Sequence, residues 1–84
     1  MKTIADWLMT IEPRKREQVL RDRGIGFELH IYEDEVESFQ KSGSTWQEWA
    51  KGASFSDGSV CYCTWTPERG YEFEPYDGKH KFAE

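Results

Sequence analysis

The sequence predicts a small α+β domain, with an N-terminal helical hairpin and short helices packed on one face of a mostly antiparallel sheet of about four strands. Three observations point there. Residues 54–76 read as a β-meander punctuated by Asp57-Gly58 and by Pro67-Glu68-Arg69-Gly70. Ile25 to Tyr32 alternates strictly between apolar and polar residues. Before them, Ile4, Trp7, Leu8 and Ile11 fall on one helical face.

A chain of 84 residues builds one core, so residues 1–84 are read as a single domain, with 77–84 as a loosely ordered tail. Only 37% of the residues are hydrophobic, but 15% are aromatic, so large rings must do much of the burying. Each ring covers about 150–250 Å². With 32% charged residues, no apolar stretch approaches the length of a membrane span. Asp6 interrupts any apolar run after Met1-Lys2, so no secretory signal is expected. The reading is a cytoplasmic protein with reduced thiols.

The first helix is expected after Thr3, with Asp6 completing a capping box. A second helix is expected over 13–23, with Pro13 as its first residue and Gly24 as its stop. Arg16 and Arg23 share the face of Val19 and Leu20, which places their guanidiniums at the edge of the core. The strand at 25–32 turns Ile25, Phe27, Leu29 and Ile31 inward. Acids at 33–35 then favour the start of a short helix around Val36 and Phe39. Ser44 with Gln47 is a second capping-box candidate, ahead of Trp46 and Trp49. Asp57-Gly58 is the signal for a two-residue type I′ hairpin, and Gly70 is free to take the left-handed conformation. After Tyr76, only Phe82 looks able to dock.

Cys61 and Cys63 are two apart in a strand, so both thiols share one face with Trp65. Buried reduced thiols are the plain reading, and no metal or cofactor is expected. The alternative is a zinc-stabilised structural module using Cys61, Cys63, His30 and His80. His30 is expected on the solvent face beside Glu28. No nucleophile elbow, phosphate loop or zinc-protease pattern is present, so the protein is read as a non-enzyme.

The net charge of −5 is uneven: six bases face four acids in residues 1–24, but five bases face twelve acids in 25–84. Arg14, Lys15, Arg16, Arg21 and Arg23 would let the basic helix 13–23 serve a small nucleic-acid-binding regulator, the second reading. Interleaved Glu17 and Asp22 oppose it, and direct nucleic-acid binding is not the favoured reading. The acids favour a partner-binding surface built from Glu33, Asp34, Glu35 and Glu37 at one end of the first strand, and Glu72, Glu74, Tyr76 and Asp77 on the last. Carboxylates steer an encounter and rings anchor it. A β4-edge homodimer is a further possibility.

The opening Thr3-Ile4-Ala5-Asp6-Trp7-Leu8, followed by Pro13, Arg16 and Leu20, resembles the start of small uncharacterised tailed-phage proteins. Those share a Thr-Ile-x-x-Trp-Leu segment followed by Pro, Arg and an aliphatic residue. The resemblance covers the first quarter of the chain and carries no catalytic residue with it. It implies a phage or prophage origin, a setting rich in small proteins that disable host machinery. The expected function is therefore a small acidic binding protein that inhibits a host protein, such as a defence nuclease or CRISPR effector with a basic nucleic-acid groove.

Overall fold

Thr3 Oγ1 accepts the Asp6 N–H at 3.1 Å while the Asp6 carboxylate accepts the Thr3 N–H, and this capping box starts α1 (Ile4–Leu8). Pro13 opens a 3₁₀ turn (Pro13–Lys15) that runs directly into α2 (Arg16–Asp22). Gly24, at φ +69°, closes it, and the Ile25 N–H returns to the Leu20 carbonyl at 2.9 Å. That closing bond uses Ile25 in the helix cap. β1 (Phe27–His30) is accordingly shorter than the alternation of the sequence suggests. A second 3₁₀ turn (Glu33–Glu35), α3 (Val36–Ser42) and α4 (Trp46–Trp49) connect it to β2 (Gly52–Phe55), β3 (Val60–Thr66) and β4 (Gly70–Pro75). The structure, a computed structural model, describes residues 2–83.

The four strands form one antiparallel sheet in sequential order, the α+β meander expected from the sequence. Two local expectations are corrected. The box at α4 sits one residue later than Ser44–Gln47: the Glu48 carboxylate accepts the Thr45 N–H at 2.7 Å. An ionised acceptor near a helix N-terminus outcompetes a neutral amide. The β2–β3 turn is not type I′, because Gly58 alone has positive φ there. The Gly58 N–H donates to Phe55 O at 2.9 Å and the Phe55 N–H to Ser59 O at 3.0 Å. This is a three-residue loop ending in a left-handed glycine. In the β3–β4 loop the Arg69 N–H donates to Thr66 O at 3.3 Å, and the left-handed glycine, Gly70 at φ +68°, comes one position later as the first residue of β4, paired with Thr66.

Helices α1 and α2 cover one face of the sheet. Leu8 and Leu20 pack there against Ala53, Phe55, Cys61, Cys63 and Phe73. The middle strands offer only small side chains at the centre of this face: Ala53, Cys61 and Cys63. Rings from the other positions lean over them. Phe27 of β1 lies 5.2 Å from Phe73 of β4 and 6.4 Å from Phe55, edge-on to both, and Phe55 and Phe73 close the triangle at 6.0 Å. Trp65, further along the same face, is half-buried and lies outside this cluster.

Arg16 is not at the rim as expected; it is 5% exposed. Its Nε donates to Ile11 O at 2.8 Å, its Nη1 donates to the Phe73 carbonyl, and Glu74 lies 3.8 Å away. The Cys63 N–H is bonded to Lys51 O, so Cys63 turns its backbone toward β2, and its β4 partner Phe73 turns outward. Arg16 therefore occupies the free edge of β4 at its centre. That opposes the edge-to-edge homodimer considered from the sequence.

A candidate acidic and aromatic interaction surface

The register places Glu28, His30, Gly52, Ser54, Tyr62, Thr64, Glu72 and Glu74 on the face away from the helices. Gly52 leaves a gap in the middle of this outer face, and rings close around it. Tyr32 meets Tyr62 at 5.8 Å, and Tyr76 stands 5.5 Å from Tyr62 and 6.3 Å from Tyr32. The segment read as a loosely ordered tail returns to this face. The Glu33 N–H donates to Lys81 O at 3.0 Å and the Ala83 N–H to Ile31 O at 2.8 Å, making a one-residue antiparallel bridge between Tyr32 and Phe82.

Polar groups thread the ring cluster. Tyr32 is 4% exposed, and its Oη has no hydrogen-bond partner among the described residues. Burial raises its phenol pKa well above the ordinary tyrosine value. Hydrogen bonding to the Asp77 carboxylate pushes the Tyr62 phenol up to about 12, and the same contact holds Asp77 down to about 2. Asp77 also accepts the Lys79 N–H at 2.9 Å and sits 3.4 Å from His80 Nδ1. His30, also on this face, shares a 2.8 Å hydrogen bond with Ser54 and lies 3.9 Å from Glu28.

The acids read from the sequence as one surface divide into two groups. Glu33, Asp34 and Glu35 form the 3₁₀ turn after β1, and Glu37 opens α3 with Lys41 at 2.7 Å. Glu33 and Asp34 line a shallow cleft with Lys79, His80 and Lys81. On β4, by contrast, Glu72 is committed within the fold: its side chain is 15% exposed and 3.4 Å from Arg69. Glu74 faces Arg16, and Tyr76 is packed in the ring cluster. Glu28, whose side chain is 83% exposed 3.9 Å from His30, was absent from the expected set although it sits on the polar side of the alternation. Gly52, Tyr62 and Phe82 were missed as a group. Gly52 looks like a helix stop in sequence, and nothing local shows that the Phe82 ring comes to lie over it.

The alternative sites come apart in space. Cys61 and Cys63 lie under the helices, whereas His30 and His80 belong to the outer face. Among the described residues, no three His, Cys, Asp or Glu side chains gather as metal ligands. The thiols are free, and burial pushes them up to about 11 for Cys61 and about 12 for Cys63. In the basic helix, Arg16 is buried, Lys15 lies 3.7 Å from Glu12, Arg21 lies 3.1 Å from Glu17, and Arg23 stacks 4.8 Å over Trp7. That leaves a weak footprint for a phosphate backbone. Among the described residues, no helix is long and apolar enough to cross a membrane.

Fold and surface together define a class: a small α+β meander domain with an acid-rimmed aromatic outer face. Compared with family profiles, curated proteins and solved structures, the chain matches none of them.

Proposed function

We propose that this protein is a non-enzymatic binding protein that inhibits a host protein by occupying a basic, nucleic-acid-binding surface. A phage-encoded role against a defence nuclease or CRISPR effector is the specific form of this reading. One observation carries it. Exposed carboxylates flank a face whose centre is built of tyrosine and phenylalanine rings: Glu28 on β1 beside His30, and Glu33 and Asp34 in the turn that follows β1. Acids of this kind speed association with a basic partner, while rings supply the anchoring contact. The resemblance of the Thr3–Leu8 segment to tailed-phage proteins supports the setting.

The test is capture from bacterial host lysate by wild type and by a Glu28→Lys, Glu33→Lys, Asp34→Lys variant, at low and at high salt. The expected result is a nucleic-acid-binding protein retained by wild type, released by salt and lost with the variant. Equal capture by both forms, or none by either, overturns the reading.

A further inference from the structure

Among the described residues, the outer edge of β1 extends beyond the segment that covers it. The Phe55 and Cys63 N–H groups bond to Ser59 O and Lys51 O, so residues 53 and 55 turn their backbones toward β3, while Lys51 gives its carbonyl to β3 and its N–H to His30 O of β1. Gly52 and Ser54 therefore face β1, and their partners His30 and Glu28 face back. Phe27, Leu29 and Ile31 are left pointing away from the sheet. Among the described residues, the returning tail takes only the Ile31 carbonyl of these three, through the Ala83 N–H.

The tail is held at three kinds of contact. Phe82 lies between the His30 ring at 4.9 Å and the Tyr32 ring at 5.3 Å, nearly parallel to both at 19° and 9°. The floor of this slot is Gly52, where an added Cβ would overlap the phenyl ring. Lys79 and Lys81 stand at the cleft lined by Glu33 and Asp34. Two backbone hydrogen bonds complete the attachment.

We propose that this edge and slot form a strand-docking groove, that Lys79–Phe82 is its built-in occupant, and that a partner protein replaces it with an extended segment carrying basic residues just before an aromatic one. The inference rests on the reading of this face as the working surface and names the chemistry of what it takes. The groove reads that chemistry three ways. Backbone groups add a strand to β1, the slot accepts one flat ring, and the acids favour cations before it. A longer partner strand gains the Leu29 and Phe27 backbone groups that the tail leaves open. Release of the tail is the step that a partner must outcompete, so the resident segment sets the threshold for binding.

The experiment uses a fluorescent peptide with the sequence of residues 77–84 and the full chain carrying Phe82→Ala. The expected result is saturable binding to Phe82→Ala, about tenfold or more tighter than to wild type, whose own ring fills the slot. Replacing the peptide's Phe by Ala, or adding Gly52→Ala to the variant chain, should abolish binding. Equal binding to wild type and Phe82→Ala, or no binding to a Phe82→Ala chain with wild-type circular dichroism, overturns the groove. Should Phe82→Ala fail to fold, Lys79→Glu with Lys81→Glu loosens the tail and keeps its ring. Tighter peptide binding by that chain supports the groove, and no gain overturns it. A wild-type dimer that the tail substitutions dissociate would make a second copy the occupant and overturn the partner assignment. Peptide failure with charge-dependent capture intact removes the groove alone, while peptide binding without capture removes the inhibitory role alone.

Discussion

The Asp57 carboxylate, at the tip of the β2–β3 hairpin, accepts the backbone N–H of Ile4 at 2.8 Å, so a turn in the sheet caps a helix more than fifty residues earlier. Ser59 Oγ accepts the next N–H, Ala5, at 3.2 Å, while Asp57 Oδ1 takes the Ser59 N–H and hydroxyl. The donors at the start of a helix have no partners inside it, and here the hairpin supplies them.

Asp57→Asn or Asp57→Ala should lower the melting temperature near neutral pH. The hydrogen bonds from Ser59 and from the Ile4 N–H hold the Asp57 carboxyl below its ordinary value. A depressed carboxyl stabilises the fold above its unfolded pKa and loses that contribution as pH falls through the folded value. The gap between wild type and Asp57→Ala should therefore narrow as melts are taken into strong acid. A gap of constant size would show that the charge on Asp57 contributes nothing and that only the turn's shape matters.

Arg16 makes the second long-range tie, from α2 to the edge of β4. Its loss leaves the Ile11 and Phe73 carbonyls without this donor, and an unsatisfied buried acceptor costs about 1–3 kcal/mol. Arg16→Met should therefore lower the urea-unfolding free energy by about 2–4 kcal/mol. Arg16→Lys should recover little, since one ammonium on a flexible stem replaces a planar fork of donors. Sedimentation should also detect self-association in Arg16→Met, because an unguarded strand edge is a template for pairing. A monomeric variant of wild-type stability would contradict both parts.

Both ties bear on what could be read from the sequence. The capping box at Thr3, the strand at Val60–Thr66 and the left-handed Gly70 all follow from rules that act within a few residues. The I′ turn at Asp57-Gly58 was misread because the carboxylate serves Ile4 and Ser59, partners that a local turn rule does not see. Arg16 was placed at the rim because helical periodicity gives a direction but not the carbonyl waiting there. The ring cluster on the outer face depends on Gly52 meeting Phe82 across thirty positions of sequence, and no periodicity encodes that. Of the acids chosen as a surface, those beside β1 remain available for contact. Glu72 and Glu74 belong to ion pairs that only the β3–β4 register and α2 reveal.

The packing of the inner face gives a third expectation. Ala53, fully buried, lies among three phenylalanine rings, so its small size is a requirement of the site. Ala53→Leu should cost about 1–3 kcal/mol by overpacking. Phe73→Ala, which removes the ring shared by the triangle, should cost about 3–5 kcal/mol. Chemical denaturation of both variants checks the order. An Ala53→Leu chain as stable as wild type would mean that the rings leave a void above the middle strands.

The thiols give the protein a predictable alkaline limit. Cys61 and Cys63 sit at the bottom of that same packed layer, where burial pushes them up to about 11 and about 12. The unfolded chain ionises its thiols near the ordinary value of 9.0. A raised pKa stabilises the fold fully below the unfolded value and loses that contribution as pH rises through the folded one. Stability should thus decline from about pH 9 toward about pH 11–12, with both thiols protonated while the fold holds. A disulfide reagent near pH 8 should react slowly with native protein and label both sulfurs at once in guanidinium, since the thiolate is the nucleophile. Cys61→Ala with Cys63→Ala should make the alkaline limb shallower and start it at about pH 10 instead of about pH 9, leaving the decline that the raised phenols of Tyr32 and Tyr62 set. A limb equally steep in the double variant would assign the alkaline sensitivity to the tyrosines of the outer face. Fast labelling of the native protein would place the sulfurs within reach of solvent and undo the packed inner layer.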